Sequence, residues 1–203
     1  MDFSKIYRLS KTFASGTVIV NLSKDHDFSF DELKSIGRGE KPIDSIIGLK
    51  KGSRGKYPGD YLDGPWVYLN VFSNKVFEAL DKIGATGWRS LPVYIQGFPE
   101  PKASDYRILV VTGRSGEIDY SRSKPVRMRM SPERGLVDWL IGQMFDPSSW
   151  DGSDIFFPGN TAYIYVTERV KIAIEAVKAK GIKFTPIDEY AVYDTGQMKK
   201  ITR

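Results

Sequence analysis

The only histidine, His26, sits in Lys24-Asp25-His26-Asp27, where neighbouring carboxylates can orient an imidazole and raise its pKa. A metal or acid–base cluster built on it needs a second imidazole or a thiolate. The 203-residue chain has one His and no Cys, so the segment reads as a polar turn between a strand and the next helix. Gly52-Ser53-Arg54-Gly55-Lys56 invites a phosphate-loop reading. It lacks the Gly-x-x-x-x-Gly-Lys-Ser/Thr spacing and the strand-to-helix setting that aims backbone N–H groups at phosphate. A solvated loop is the better reading. Thr112-Gly113-Arg114-Ser115-Gly116 fails the same test and reads as a hairpin turn between Val111 and Glu117.

Two basic clusters remain. Lys50, Lys51, Arg54 and Lys56 have no acid among them, and Arg122, Lys124, Arg127 and Arg129 repeat the theme. Arg127 and Arg129 alternate with Met128 and Met130, which predicts a strand with one cationic and one apolar face. Such a face suits a nucleic-acid-binding module. No recognised nucleic-acid motif accompanies it, however, and 25 acidic residues nearly balance 30 basic ones. A solvated or ion-paired face, open to a protein partner, is favoured. Trp150 follows Asp146-Pro147-Ser148-Ser149 and is either a lid over the core beside Phe145, Ile155 and Phe156 or an exposed partner anchor. Acids are plentiful, but spacing brings no particular pair together. No catalytic set, cofactor site or metal site can be assembled, and an enzyme survives only as a reading whose site is invisible here.

Composition narrows the classes further. The chain is 22.9 kDa, carries a net charge of +5 and has a pI near 9.2. Area scaling lets a chain of this size bury about 70% of its extended surface, enough for a core without staples. Without Cys there are no disulfides, thiolate metal sites or thiol nucleophiles. Aromatic content of 13% argues against disorder. Ser15, Gly16 and Thr17 interrupt the N-terminal apolar residues, and the longest apolar runs fall far short of the ~20 residues of a spanning helix. The expected location is the cytoplasm.

The elements that must position these residues are duplicated. A shift of 94 residues lays Val71 to Val93 on Tyr165 to Ile187 without a gap, with identities at Val76/Val170, Ala79/Ala173, Ala85/Ala179, Gly87/Gly181 and Pro92/Pro186. Each copy predicts strand, helix, strand. Ser73 and Thr167 stand where N-caps belong, Gly87 and Gly181 supply turns, and Pro92 and Pro186 place the second strands at or near edges. Trp88 takes the place of Ile182 and is expected to be buried. Between the copies, Tyr106 to Thr112 reads as a buried strand, followed by a meander through Glu117 to Tyr120 and Val126 to Met130. Ser131-Pro132-Glu133 reads as the start of a helix carrying Leu136, Trp139, Leu140 and Met144 on one face. Earlier, Thr17 to Leu22 reads as a strand, Ser29 and Glu32 form a capping-box pattern, and Gly48 to Pro58 reads as a loop. The fold expected is one α+β domain over 1–203, with mixed sheets and two similar β-α-β units at about 66–95 and 161–189. Within it lie an N-terminal variable region (1–60), the first repeat plus meander (61–130) and a helix plus the second repeat (131–203).

The order of several segments resembles a bacterial immunity-protein family of polymorphic toxin systems, formerly a domain of unknown function. The segments are Tyr165-Val166-Thr167-Glu168-Arg169 with Gly181 and Phe184, Ile118-Asp119-Tyr120-Ser121-Arg122-Ser123, and Asp154-Ile155-Phe156. The first copy departs from the pattern, with Asn74 where Glu is expected, and residues 1 to about 60 show no likeness. The resemblance implies a non-enzymatic inhibitor that binds a co-encoded toxin, without cofactor. Protection at low copy number needs a Kd near nanomolar, about −12 kcal/mol, and an interface of roughly 1,600 Å² with Tyr, Trp or Arg anchors. The partner-contact candidates are therefore Lys50, Lys51, Arg54, Lys56, Arg122, Arg127, Arg129 and Trp150.

Overall fold

The computed structural model describes residues 1–12, 17–24, 27–43, 46–52, 55, 57–62, 64, 67–98, 105–131 and 135–193. Its elements in chain order are β1 (Ile6–Lys11), β2 (Val20–Leu22), α1 (Phe30–Gly37), β3 (Ile47–Lys51), β4 (Asn70–Ser73), α2 (Asn74–Lys82), β5 (Trp88–Gln96) and β6 (Tyr106–Val111). There follow β7 (Gly113–Ser115), β8 (Lys124–Ser131), β9 (Gly135–Ile141), β10 (Ile155–Pro158), β11 (Ile164–Thr167), α3 (Glu168–Ala176), β12 (Ile182–Pro186) and β13 (Ala191–Tyr193). This is an α+β protein. Its sheets run β2-β3-β5-β6-β4, β12-β1-β11-β10-β7 and β13-β9-β8.

The duplication is present to the residue. β4 and α2, moved by 94, coincide with β11 and α3, and Gly87 and Gly181 share a φ of 83° and 84°. In neither copy do the two parallel strands touch. An antiparallel strand lies between them, β6 in the first copy and β1 in the second, so each unit is a split β-α-β. The inserted strands are equivalent as well. Leu109 faces Asn70 and Ser90, as Leu9 faces Ile164 and Phe184. The Thr112 and Thr12 N–H groups that follow donate to the Gly87 and Gly181 carbonyls at 2.8 and 3.0 Å. The second copy thus borrows its middle strand from the chain's N-terminus.

Upstream, the equivalence reaches Asp60 and Asp154. The Asp60 carboxylate accepts from the Ser73 hydroxyl at 2.7 Å and the Lys180 N–H at 2.6 Å, and pairs with Lys75 at 2.9 Å. The Asp154 carboxylate accepts from the Thr167 hydroxyl at 2.9 Å and the Thr86 N–H at 3.0 Å, and pairs with Arg169 at 3.5 Å. Ser73 and Thr167 do occupy the N-cap positions, but their side chains make no cap hydrogen bond, being spent on these carboxylates.

A central core gathers α2, α3 and the facing sides of both sheets, including Phe72, Val76, Leu80, Leu109, Val166 and Ile174. The outer face of the first sheet, with Val71, Leu91, Ile108 and Val110, packs on Leu33 and Ile36 of α1. The capping box of Ser29 and Glu32 starts that helix as expected.

Several expectations are corrected. The segment 135–141 is strand β9, not a helix. Leu136, Asp138 and Leu140 alternate with Val137, Trp139 and Ile141, and pairing on both sides, to β8 and β13, satisfies the backbone better than an isolated helix. Gly113–Ser115 is not a turn but strand β7, parallel to β10. Gly48 to Lys51 belongs to strand β3 rather than a loop. The strand-rich stretch between the copies is there, but β6, β7 and β8 go to three different sheets. Glu117 to Tyr120 contributes only an isolated bridge, Ile118 to Phe145, before a 3-10 turn. Trp88 is half-buried, its ring beside Phe77. Pro186 closes edge strand β12, whereas β5 is internal; pairing with β3 begins at Val93, one residue past Pro92. Among the described residues no helix is long and apolar enough to cross a membrane.

Candidate functional site

In the second copy the outer sheet face differs in kind. Residues equivalent to the apolar Leu69, Val71, Leu91, Ile108 and Val110 are Tyr163, Tyr165, Thr185, Arg8 and Ser10. One part of this face is closed by Phe145 and Ile118, which pack with Ile6, Phe156, Tyr165 and Ile187. The rest opens into a cleft of about 560 Å³, a ligand-sized volume.

Arg8 stands at its centre. Its strand is held on both sides, opposite Tyr165 on β11 and Thr185 on β12, so the side chain leaves the sheet in a fixed direction. The guanidinium lies between two rings, 3.7 Å from the centroid of Tyr163 and 4.0 Å from that of Tyr190. This double cation–π stack holds the planar group while leaving its N–H edge available. One N–H reaches Gln143 Oε1 at 3.4 Å. No carboxylate pairs with Arg8 among the described residues.

Gln143 and Tyr190 come from outside the repeat. The Gln143 N–H donates to the Ile187 carbonyl at 2.7 Å and the Gly142 N–H to the Tyr190 carbonyl at 2.9 Å, fixing the exit of β9 against the turn after β12. The third sheet therefore builds the rim of the cleft. Gln143 is fully buried, and the Tyr165 hydroxyl donates to its carbonyl at 3.1 Å. Burial raises the Tyr165 hydroxyl well above its ordinary pKa and raises that of Tyr120, with the charge of Arg8 opposing both shifts. Both phenols are neutral at physiological pH, so neither balances the guanidinium.

The other polar groups of the cleft are donors too. Lys11 reaches the Gly64 carbonyl at 3.5 Å and lies 5.0 Å from the Tyr61 ring centroid. Lys183 is exposed and makes no ion pair among the described residues. Asn70, 3% exposed, accepts from the Tyr61 hydroxyl through Oδ1, while its Nδ2 has no partner. No described residue that lines the cleft is acidic. The arrangement offers positive charge and hydrogen-bond donors, the equipment for holding an anion.

The sequence-derived candidates lie elsewhere. Lys50 and Lys51 are on β3 of the first sheet, Lys50 exposed opposite Asn21 and Gln96. Arg54, Lys56 and His26 fall outside the described residues. Arg122 is exposed and pairs with Asp119 at 3.1 Å. Arg127 and Arg129 are exposed on β8, Val126 and Met128 half-buried on its other face, as the alternation predicts. Arg127 is ion-paired to Asp138 directly across the strand at 3.3 Å. Trp150 is half-buried, 5.5 Å from the Phe156 ring, and donates Nε1–H to the Ser153 carbonyl at 3.1 Å. Lys50 and Lys51 thus sit on a different sheet from Arg127 and Arg129.

Arg8, Asn70, Gln143, Tyr163, Lys183 and Tyr190 escape a linear reading, because they are spread over the whole chain with no common spacing. One signal was within reach: inside the 94-residue shift Val71 becomes Tyr165 and Leu91 becomes Thr185, apolar to polar on one strand face. Among the described residues no three His, Cys, Asp or Glu side chains converge to hold a metal ion. Compared with known proteins, the chain matches no family model and no curated protein.

Proposed function

We propose that the chain is a non-enzymatic binding protein of the immunity type, which neutralises a co-encoded toxin by docking it on the outer face of the second sheet. The observation carrying this reading is the contrast between the two copies. A face that is apolar and covered by α1 in the first carries Arg8, Ser10, Tyr163 and Thr185 in the second, lining the cleft. Covering a core aliphatic side chain is worth about 1.5–3 kcal/mol, so a unit that gives up several such contacts forgoes stability. Recognition of a partner is the compensating use, and Tyr and Arg are the residue types that anchor interfaces. The resemblance of the second copy to immunity proteins supplies the kind of partner. A positively charged face of this kind suits an acidic surface on the toxin.

The test is co-expression with the products of neighbouring genes. A toxic neighbour should become harmless in the presence of the wild-type chain, and Arg8→Glu combined with Lys183→Glu should abolish the rescue while the protein stays folded. Absence of any toxic neighbour, or full rescue by the double variant, sinks the reading. Tight oligonucleotide binding that weakens steeply between about 50 and 200 mM salt would replace it with the nucleic-acid alternative.

A further inference from the structure

We infer that the Arg8 cleft is a carboxylate-binding site, one that recognises an acid group borne on a short, partly apolar body. It goes beyond the immunity reading and does not need it: the ligand chemistry follows from the cleft alone.

Three observations converge. Arg8 is a half-buried cation without a described carboxylate partner, and its plane is fixed by Tyr163 and Tyr190. A guanidinium held this way presents neighbouring N–H groups in one plane, the geometry that meets both oxygens of a carboxylate. Asn70 supplies a second, independent sign. Its Oδ1 is taken by Tyr61, which leaves the buried Nδ2–H groups as donors with nothing to donate to. A buried donor left unmade costs about 1–3 kcal/mol, so a site that keeps one gains by filling it. Lys183, on the strand beside Arg8, adds an ammonium with no ion pair among the described residues. Val67, which is exposed, and Ala162 line an apolar part of the wall, and the volume of about 560 Å³ is too large for a lone ion. They fit the methylenes behind an acid group.

The source of the carboxylate is either a glutamate side chain of the docked partner or a free small acid. Titration of the full chain with glutarate, N-acetylglutamate amide, glutaramide and inorganic phosphate, followed by amide chemical shifts, tests the site and separates the sources. The expected result is saturable binding of at least one carboxylate probe, centred on Arg8, Asn70 and Lys183, and no saturation by glutaramide. Arg8→Gln should weaken it at least tenfold. Lys183→Gln, an exposed change that leaves the fold alone, should weaken it severalfold. A partner's side chain is indicated if N-acetylglutamate amide binds at least as well as glutarate and glutarate competes with the toxin. A free acid is indicated if glutarate binds tenfold better and does not compete. No saturation by either acid, equal binding of glutaramide, stronger binding of phosphate, or unchanged binding in both variants overturns the assignment. Saturable acid binding by a chain that neutralises no neighbouring toxin would leave this inference standing and sink the immunity reading; toxin neutralisation without saturable acid binding would do the reverse.

Discussion

Asp60 and Asp154, 94 residues apart, hold mirror positions in the two halves, and each carboxylate ties its own half to the other. Asp60 joins the start of α2 to the backbone just after α3, at Lys180; Asp154 joins the start of α3 to the backbone just after α2, at Thr86. The main-chain carbonyls follow suit, accepting from the Ser73 and Thr167 N–H groups at 2.9 Å each. The helices need no side-chain caps of the ordinary kind because the caps have become cross-links. This reciprocal clamp sets how the split β-α-β units sit together, and so how Tyr61 and Asn70 of the first reach the cleft of the second.

Asp154 is 6% exposed, and all its oxygen contacts are internal. Replacing it with Ala strands the Thr86 N–H and the Thr167 hydroxyl. The expected loss is about 3 kcal/mol, or on the order of 8 °C in Tm for a chain of this size. Thermal unfolding checks it; a loss below about 1 kcal/mol would mean the clamp is ornamental.

Acid should loosen the clamp at Asp60. Burial pushes its carboxyl up, but the Lys180 N–H, Lys75 and the Ser73 hydroxyl outweigh that and leave it below its ordinary value of 3.8. A group with a depressed folded pKa contributes stability that is complete above the unfolded pKa and is lost as pH falls through the folded one. Wild type and Asp60→Asn should therefore differ in urea midpoint at pH 7, begin to converge as the pH falls below roughly 4, and meet only below the depressed folded pKa. A gap that stays constant to pH 3 contradicts the assignment.

Gly87 and Gly181 are equivalent in sequence and backbone, with φ of 83° and 84°, yet unequal in surroundings. A Cβ on Gly87 would lie 2.2 Å from the Ile155 carbonyl oxygen, whereas one on Gly181 would lie 3.4 Å from its nearest neighbour, the Tyr61 carbonyl oxygen. Gly181→Ala should cost about 1–2 kcal/mol for the left-handed conformation alone. Gly87→Ala should cost at least about 2 kcal/mol more, because backbone must move. Equal losses by chemical denaturation would refute the difference.

The repeat, both helices, their boundaries and the glycine turns were legible because they are local: caps, apolar periodicity and positive-φ positions are written in adjacent residues. The segment 135–141 was misread for an equally physical reason. Leu136 and Leu140 satisfy a period near four and a period of two, and only pairing to β8 and β13, one of them fifty residues away, selects the strand. The sequence by itself determined an α+β chain made of two like units, without the cysteine or second histidine many active sites need. Tertiary structure decided what the likeness is for. It threaded β1 into the second unit, where Arg8 takes the place of Ile108, and brought Tyr163, Tyr190 and Asn70 around it. Residues so far apart in the chain carry no shared period, and their common charge and donor character exists only once the sheet has closed.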